Sequence, residues 1–410
     1  MSRTLQVLVV TLRLPFPPVG GLSLRTWHFL RALAANHRVT VCGFTYGEAI
    51  VPPDFPVEIE AVPYTTPPLY EQMQSADPAV SQRAYGQLAT GTDEPWFASY
   101  FDCPAFGEHL RELAPRADVV VIAGSSMGRF LACLPATLPK VLDFPDVYTA
   151  MVQRDPATKS VAEIERVRRF EQRVAAACER CVVCSPLEQA RAREVLALAN
   201  VDVVSNGADT RQFQPTPEAP VPGNLLFVGA MHYQPNAEAA EYFVRDVLPL
   251  VRQKHPQVRL HIVGNSPPAS VQALAGEAVV VHGFVPDVRP FYRNAAVVVV
   301  PLLVGGGTRL KILEAAACGK AMVSTTLGAE GLEMLSGHDI LLADQAELFA
   351  AAVNRLLADA GLRQRMGMAA RRTAEQYDWG QLGRKFVTIT EVAASSISGG
   401  TASGTAGQPR

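Results

Sequence analysis

The chain has no charge of either sign to spare. Its 410 residues carry 37 Lys and Arg against 39 Asp and Glu, a formal net charge of −2. No basic field marks it for a nucleic-acid backbone. Long apolar runs are missing as well. None approaches the roughly 18 residues that cross a bilayer as a helix. Arg13 interrupts the N-terminal apolar stretch, so Met1 to Val10 reads as a first strand and not as a signal peptide. The expected compartment is the cytoplasm. Cysteine is sparse, with seven in the chain. Cys178, Cys181 and Cys184 form a C-x2-C-x2-C run, but no fourth Cys or His follows at ligand spacing. Buried free thiols are the expected reading, with a metal or cluster site as the alternative.

What is present is the composition of an ordinary globular protein, 48% hydrophobic and 19% charged. The length suits two domains of about 200 residues each. Strand and helix patterns alternate in two successive series, which predicts two doubly wound α/β domains with ligands at the C-terminal strand ends. The first series opens with a strand over Leu5–Thr11, a Pro-rich loop closed by Gly20-Gly21, a helix over Leu24–Ala35 and a strand over Val39–Phe44. Pro52 to Asp102 is irregular and aromatic. Further strands are expected over Asp118–Ala123, Lys140–Phe144, Cys181–Cys184 and Val201–Val204, with helices from Ser125 through Leu134 and over Glu163–Ala177. That last segment carries Arg166, Arg168, Arg169 and Arg173. It reads as a solvated helix face, an anionic membrane surface or acidic partner being the alternative. The Pro-rich stretch Gln214–Pro222 reads as a linker.

The second series has strands over Leu225–Val228, Arg259–Val263, Val279–His282, Ala295–Val304 and Ala321–Ser324. A helix is expected over Asn236–Val251, and Ala-rich helices from Ala346 through Glu375. From about Ser395 the tail has no apolar period and is expected to be disordered. The centre of this series is Gly305-Gly306-Gly307-Thr308-Arg309-Leu310-Lys311-Ile312-Leu313-Glu314. A strand, a glycine turn and a helix start aim backbone N–H groups and a positive helix end at an anion. Arg309 and Lys311 add formal charge, and Glu314 could accept hydrogen bonds from hydroxyls. A phosphate-plus-ribose site and a plain tight loop are both compatible with this stretch by itself.

Five pieces in order carry a resemblance: Phe227-Val228-Gly229, His261-Ile262-Val263-Gly264, His282-Gly283-Phe284-Val285-Pro286-Asp287, Gly307-Thr308-Arg309-Leu310-Lys311-Ile312-Leu313-Glu314-Ala315, and Gly319-Lys320-Ala321-Met322-Val323-Ser324-Thr325. Together they resemble the donor domain of the group 1 glycosyltransferases, family 4. The first half resembles the acceptor domain through Pro18-Val19-Gly20-Gly21. Ser125-Ser126-Met127, Asp143-Phe144-Pro145-Asp146 and Glu165 to Ala177 look like the exopolysaccharide-associated subgroup.

The resemblance implies a GT-B fold of two Rossmann-like domains with a cleft between them. Residues 1–206 would form the acceptor domain and 207–375 the donor domain. A helix over about 376–392 would cross back, and 395–410 would form the disordered tail. It implies a retaining, metal-independent transfer from a UDP- or GDP-sugar, with no other cofactor, to a saccharide, glycolipid or small-molecule acceptor. Peripheral membrane association is the open alternative. Arg309 and Lys311 would neutralise the leaving diphosphate. Asp143 and Asp146 are the nearest acidic groups to serve the acceptor hydroxyl. Gly20, Gly21, Gly229, His232, Gly264, Val285, Gly307, Thr308, Leu310, Glu314 and Glu330 would line the donor site.

Three departures from the family pattern stand out. The first of a usual glutamate pair falls on Gly306. Ala123-Gly124-Ser125-Ser126 replaces a frequent histidine region, and Met231-His232-Tyr233 replaces an Arg and Lys after the first donor-domain strand. His232 is either a donor to phosphate or a loop histidine, Glu330 a sugar ligand or a helix cap. Lys320 reads as a surface lysine, and His28 as a packed or solvated histidine with a catalytic role as the alternative. The competing functions are a non-catalytic nucleotide-sugar-binding protein, or another GT-B enzyme such as an epimerase or phosphorylase.

Overall fold

The computed structural model describes residues 3–18, 20–46, 52, 54–73, 79–80, 83–84, 87, 94–154, 160–305 and 309–396. It divides into two units, Met1–Ser205 with Leu382–Arg410, and Asn206–Gln381. The chain therefore passes between them twice.

The first unit holds seven parallel strands: β1 (Gln6–Thr11), β2 (Arg38–Thr45), β3 (Glu58–Pro63), β4 (Val119–Ala123), β5 (Lys140–Asp143), β6 (Arg180–Val183) and β7 (Val201–Val203). Their order is β3-β2-β1-β4-β5-β6-β7. The central strand β4 is wholly apolar because helices cover both faces, and every one of its residues is buried. The order reverses between β1 and β4, the switch point at which doubly wound sheets open a crevice. β3 is not visible in the sequence as a strand. It is an edge strand with only Val62 buried, so it carries no apolar run.

The segment after β4 is a 3-10 helix, Ser125–Cys133. Gly128 is where the helix Val161–Ala176 presses on it. A Cβ on Gly128 would lie 2.2 Å from the Val174 side chain. The arginines of that helix are ion-paired: Arg166 with Glu163 at 2.6 Å, Arg168 with Glu165 at 2.7 Å, and Arg173 with Glu94 at 3.5 Å. The helix Trp379–Ser395 belongs mostly to this unit. Its Phe386 stacks on Phe29 of the helix Gly21–Ala34, ring centres 4.0 Å apart.

The second unit holds six parallel strands: β8 (Asn224–Val228), β9 (Arg259–Val263), β10 (Val279–Gly283), β11 (Val297–Val300), β12 (Met322–Ser324) and β13 (Leu341–Leu342). The order β10-β9-β8-β11-β12-β13 repeats that of the first unit. Two expectations need correcting, and proline explains both. The apolar run Ala295–Val304 is strand only to Val300, because Pro301 has no N–H for the ladder; Leu303 and Val304 end up exposed. The single helix expected over Asn236–Val251 is Gln234–Tyr242, a wide π turn Phe243–Val247, then Leu248–Lys254. Pro249 cannot donate to the turn before it, and the helix widens there.

Cys181 and Cys184 are buried and Cys178 partly so, all as free thiols. Burial raises the Cys178 thiol pKa and pushes Cys181 up to about 12, far from thiolate chemistry. Among the described residues no group of three or more His, Cys, Asp or Glu is arranged to hold a metal ion. No described helix is long and apolar enough to cross a membrane.

Candidate functional site

In the second unit the strand order reverses between β8 and β11, and the loops leaving these strands meet there. Gly305, at the end of the β11 loop, has φ +109°. A Cβ there would touch Pro235 and the Tyr233 hydroxyl, both at 3.3 Å. The glycines of the neighbouring turns are there for space. A Cβ on Gly264 would fall 1.6 Å from the Gly229 carbonyl oxygen. One on Gly229 would lie 2.8 Å from both the Lys311 Nζ and the Asn236 Cγ. Any side chain at these two positions would displace either the backbone or the lysine.

Lys311 stands in the first turn of the helix Leu310–Ala317. Its ammonium donates to Asn236 Oδ1 at 2.7 Å and lies 4.6 Å from the centre of the buried Phe227 ring. Burial, and secondarily Arg309, lower its pKa to about 7, against the pull of Glu314. The carboxyl of Glu314 is pushed up to about 7 by burial, opposed by the Tyr292 hydrogen bond and by Lys311. Tyr292 is fully buried and donates to Glu314 Oε2 at 2.8 Å. Arg309 is 6% exposed, and its Nη2 donates to the Gly305 carbonyl at 2.9 Å. Two cationic side chains thus sit at the positive end of a helix, one of them poorly hydrated. An anion placed at this helix start would favour the charged form of Lys311 that burial disfavours.

Gly229, Gly264, Arg309, Leu310, Lys311 and Glu314 are brought together at this point. Gly306, Gly307 and Thr308 lie outside the described residues, as does the tail beyond 396. His232 is exposed in the loop after β8, and Val285 is half-buried on the core after β10. Glu330 is half-buried in the turn after β12, its N–H bonded to the Leu327 carbonyl. Lys320 is no surface lysine: it is half-buried and donates to the Arg293 carbonyl at 2.7 Å. Gly20 and Gly21 belong to the first unit, where Gly20 has φ +87° and starts the helix Gly21–Ala34.

Asp143 also belongs to the first unit and is not available as an acceptor-side base. It is 1% exposed and engaged by Arg25, itself 0% exposed, through Nε at 2.9 Å and Nη2 at 2.7 Å. Asp146 is the half-buried carboxylate of that turn. Asn236, Tyr292 and Arg25 complete these clusters and were not singled out by sequence, and Phe227 stood out only as part of a motif, not as the lysine's partner. Each meets a partner remote in the chain, and no local pattern announces it.

Elsewhere in the second unit, on β9 and β10, His261 Nδ1 and His282 Nε2 are 2.9 Å apart. The rings lie within 16° of coplanar with centres 5.2 Å apart, so they meet edge to edge, with room for one N–H to bridge the two nitrogens. Burial lowers the pKa of both, and for His261 the neighbouring His282 and Arg259 add to it. Because the unfolded chain then binds more protons, the contribution to stability is complete above about pH 6.5 and is lost as pH falls below it. Glu314, raised to about 7, acts in the opposite sense over this window, so the readout is a difference: between pH 7 and pH 5 the second unit's unfolding midpoint in the wild type is expected to fall relative to that of His261→Asn. A gap between the two proteins that does not change with pH contradicts the coupling of the two histidines.

A glycine-spaced switch point with two basic side chains at a helix start belongs to a Rossmann-like domain. Residues 222–359 match the family described as Glycosyl transferases group 1, so the second unit carries a group 1 glycosyltransferase domain, and the two parallel-sheet units give the chain the GT-B fold. The chain is 26% identical over 136 residues to an uncharacterized 44.6 kDa protein in the cps region of Klebsiella pneumoniae. That match covers 31% of this chain and only 35% of the relative. The sucrose-phosphate synthase of Thermosynechococcus elongatus superposes with a TM-score of 0.71 at 17% identity, covering 94% of this chain and 98% of that one. Anabaena HepE in complex with UDP and glucose superposes with a TM-score of 0.67 at 14% identity, covering 94% and 99%.

Proposed function

We propose that the protein is a retaining glycosyltransferase. It moves a sugar from a UDP- or GDP-sugar to a hydroxyl of a saccharide, lipid-linked or small-molecule acceptor. The observation that carries this reading is Lys311, held by Asn236 against Phe227 beside Arg309 at the first turn of the helix Leu310–Ala317. A diphosphate leaving group needs positive charge as the glycosidic bond breaks, and a cation already stripped of water stabilises it without reorganising. Glu314 accepts the ribose hydroxyls. Gly229 and Gly264 let backbone approach the donor, Asp146 serves the acceptor hydroxyl, and no metal ion takes part. The UDP and glucose held by HepE and the cps-region relative support a nucleotide sugar and a saccharide acceptor.

The anomeric configuration of the product, read by NMR from the first turnovers, tests the stereochemistry. Retention and an undiminished rate in EDTA are expected. An inverted product overturns the retaining mechanism, and a rate abolished by EDTA and restored by Mg2+ or Mn2+ overturns the metal-independent one.

A further inference from the structure

The turn after β5 is anchored on both sides of Asp146 by groups that the sugar-transfer reading leaves without a role. Before Asp146, the Asp143 carbonyl accepts from Gly124 N–H at 2.7 Å, and the Phe144 N–H donates to the Val182 carbonyl at 3.0 Å. The Pro145 carbonyl accepts from Cys184 N–H at 3.2 Å, and the Asp143 side chain is held by Arg25. After Asp146, three consecutive N–H groups at the start of the helix Tyr148–Arg154 face two buried carboxylates from other helices. Val147 donates to Glu188 Oε2 at 2.8 Å, Tyr148 to Glu171 Oε1 at 3.0 Å, and Thr149 to Glu171 Oε2 at 2.9 Å. The Thr149 hydroxyl adds a bond to Glu171 Oε2 at 2.7 Å.

Glu171 is 1% exposed and Glu188 5% exposed. Burying a carboxylate is costly unless hydrogen bonds replace its water. Here the replacements are amides that would otherwise be orphan donors of a helix start. Capping a helix as short as Tyr148–Arg154 requires only one neutral oxygen on the residue before it. Two carboxylates brought in from the helices Val161–Ala176 and Pro186–Leu196 are far more than a cap needs. What they add is a fixed position for the residue between the anchors.

We propose that Glu171 and Glu188 are positioning residues that clamp the turn Asp143–Thr149 and thereby aim Asp146 at the acceptor hydroxyl. This rests on the sugar-transfer reading and on Asp146 as its acceptor-side group. Glu171→Gln keeps the shape but turns one acceptor into an NH2 donor facing an amide N–H, so one anchor is lost.

Two readouts test it. Amide hydrogen exchange over residues 144–151 is expected to quicken at least ~10-fold in Glu171→Gln and in Glu188→Gln while β1 and β4 stay protected. Unchanged exchange overturns the clamp itself, whether or not the protein transfers sugar. The second readout is a double-mutant cycle on transfer. Glu171→Gln is expected to lower kcat about 10-fold in the wild-type background and less than about 2-fold in Asp146→Asn, with the donor Kd unchanged in both. Equal losses in the two backgrounds show a general structural effect and overturn the link to Asp146. A wild-type protein that transfers no sugar at all overturns the reaction and the link to Asp146 together, while the exchange readout still judges the clamp.

Discussion

Alanine at Arg309 or at Lys311 is expected to lower turnover by at least ~10²-fold, the size of effect seen when a preorganised transition-state contact is removed. Stability should respond in the opposite sense or not at all. The Lys311 ammonium lies against the Phe227 ring and donates to Asn236, and burial lowers its pKa to about 7. Lys311→Met keeps the stem against Phe227 and removes the charge. Its unfolding midpoint should equal or exceed that of the wild type while transfer collapses. Steady-state release of nucleoside diphosphate and a thermal melt on the same samples separate the two effects. Wild-type rates in both alanine variants would remove these residues from the reaction.

Breaking the Arg25–Asp143 pair should act on the fold first. Both partners are buried, and removing one leaves the other charge without compensation, a loss of about 3–5 kcal/mol. Arg25 also donates to the Val204 carbonyl at 2.7 Å, and its guanidinium lies 4.5 Å from the Phe29 ring centre. The same side chain therefore ties the first helix to β5 and to the end of the first unit. Asp143→Asn and Arg25→Ala are each expected to lower the first unit's denaturation midpoint steeply. The apolar pair Arg25→Met with Asp143→Leu should recover much of the loss. If Asp143→Asn instead slows transfer with the midpoint unchanged, Asp143 acts in the chemistry and its burial with Arg25 is incidental.

The course of the chain was largely legible because central parallel strands are continuous apolar runs. β4, β8 and β11 declare themselves in this way, and the glycines after them mark turns. β3 was hidden because an edge strand with one buried residue carries no such run. The wide turn before Pro249 and the early end of β11 at Pro301 were readable in principle, since each proline sits inside an apparently regular period. The cationic turn of the candidate site was visible as local sequence, because Arg309, Lys311 and Glu314 lie on one helix start. Their partners were not. Asn236 is 75 residues from Lys311, Tyr292 is 22 from Glu314, and Arg25 is 118 from Asp143. Only the folded sheet brings these together. Asp143 is the clearest case: an acid at a strand end looks like a catalytic group until its buried arginine is seen.

On the proposed function, this site carries a nucleoside diphosphate as leaving group. The most direct measurement incubates the protein with UDP-, GDP- and ADP-sugars, with and without saccharide acceptors, and follows free nucleoside diphosphate. The expected result is acceptor-dependent release from at least one donor, lost in Arg309→Ala and Lys311→Ala. Binding of a nucleotide sugar with no release under any acceptor, or turnover of a sugar 1-phosphate without nucleotide, would contradict it.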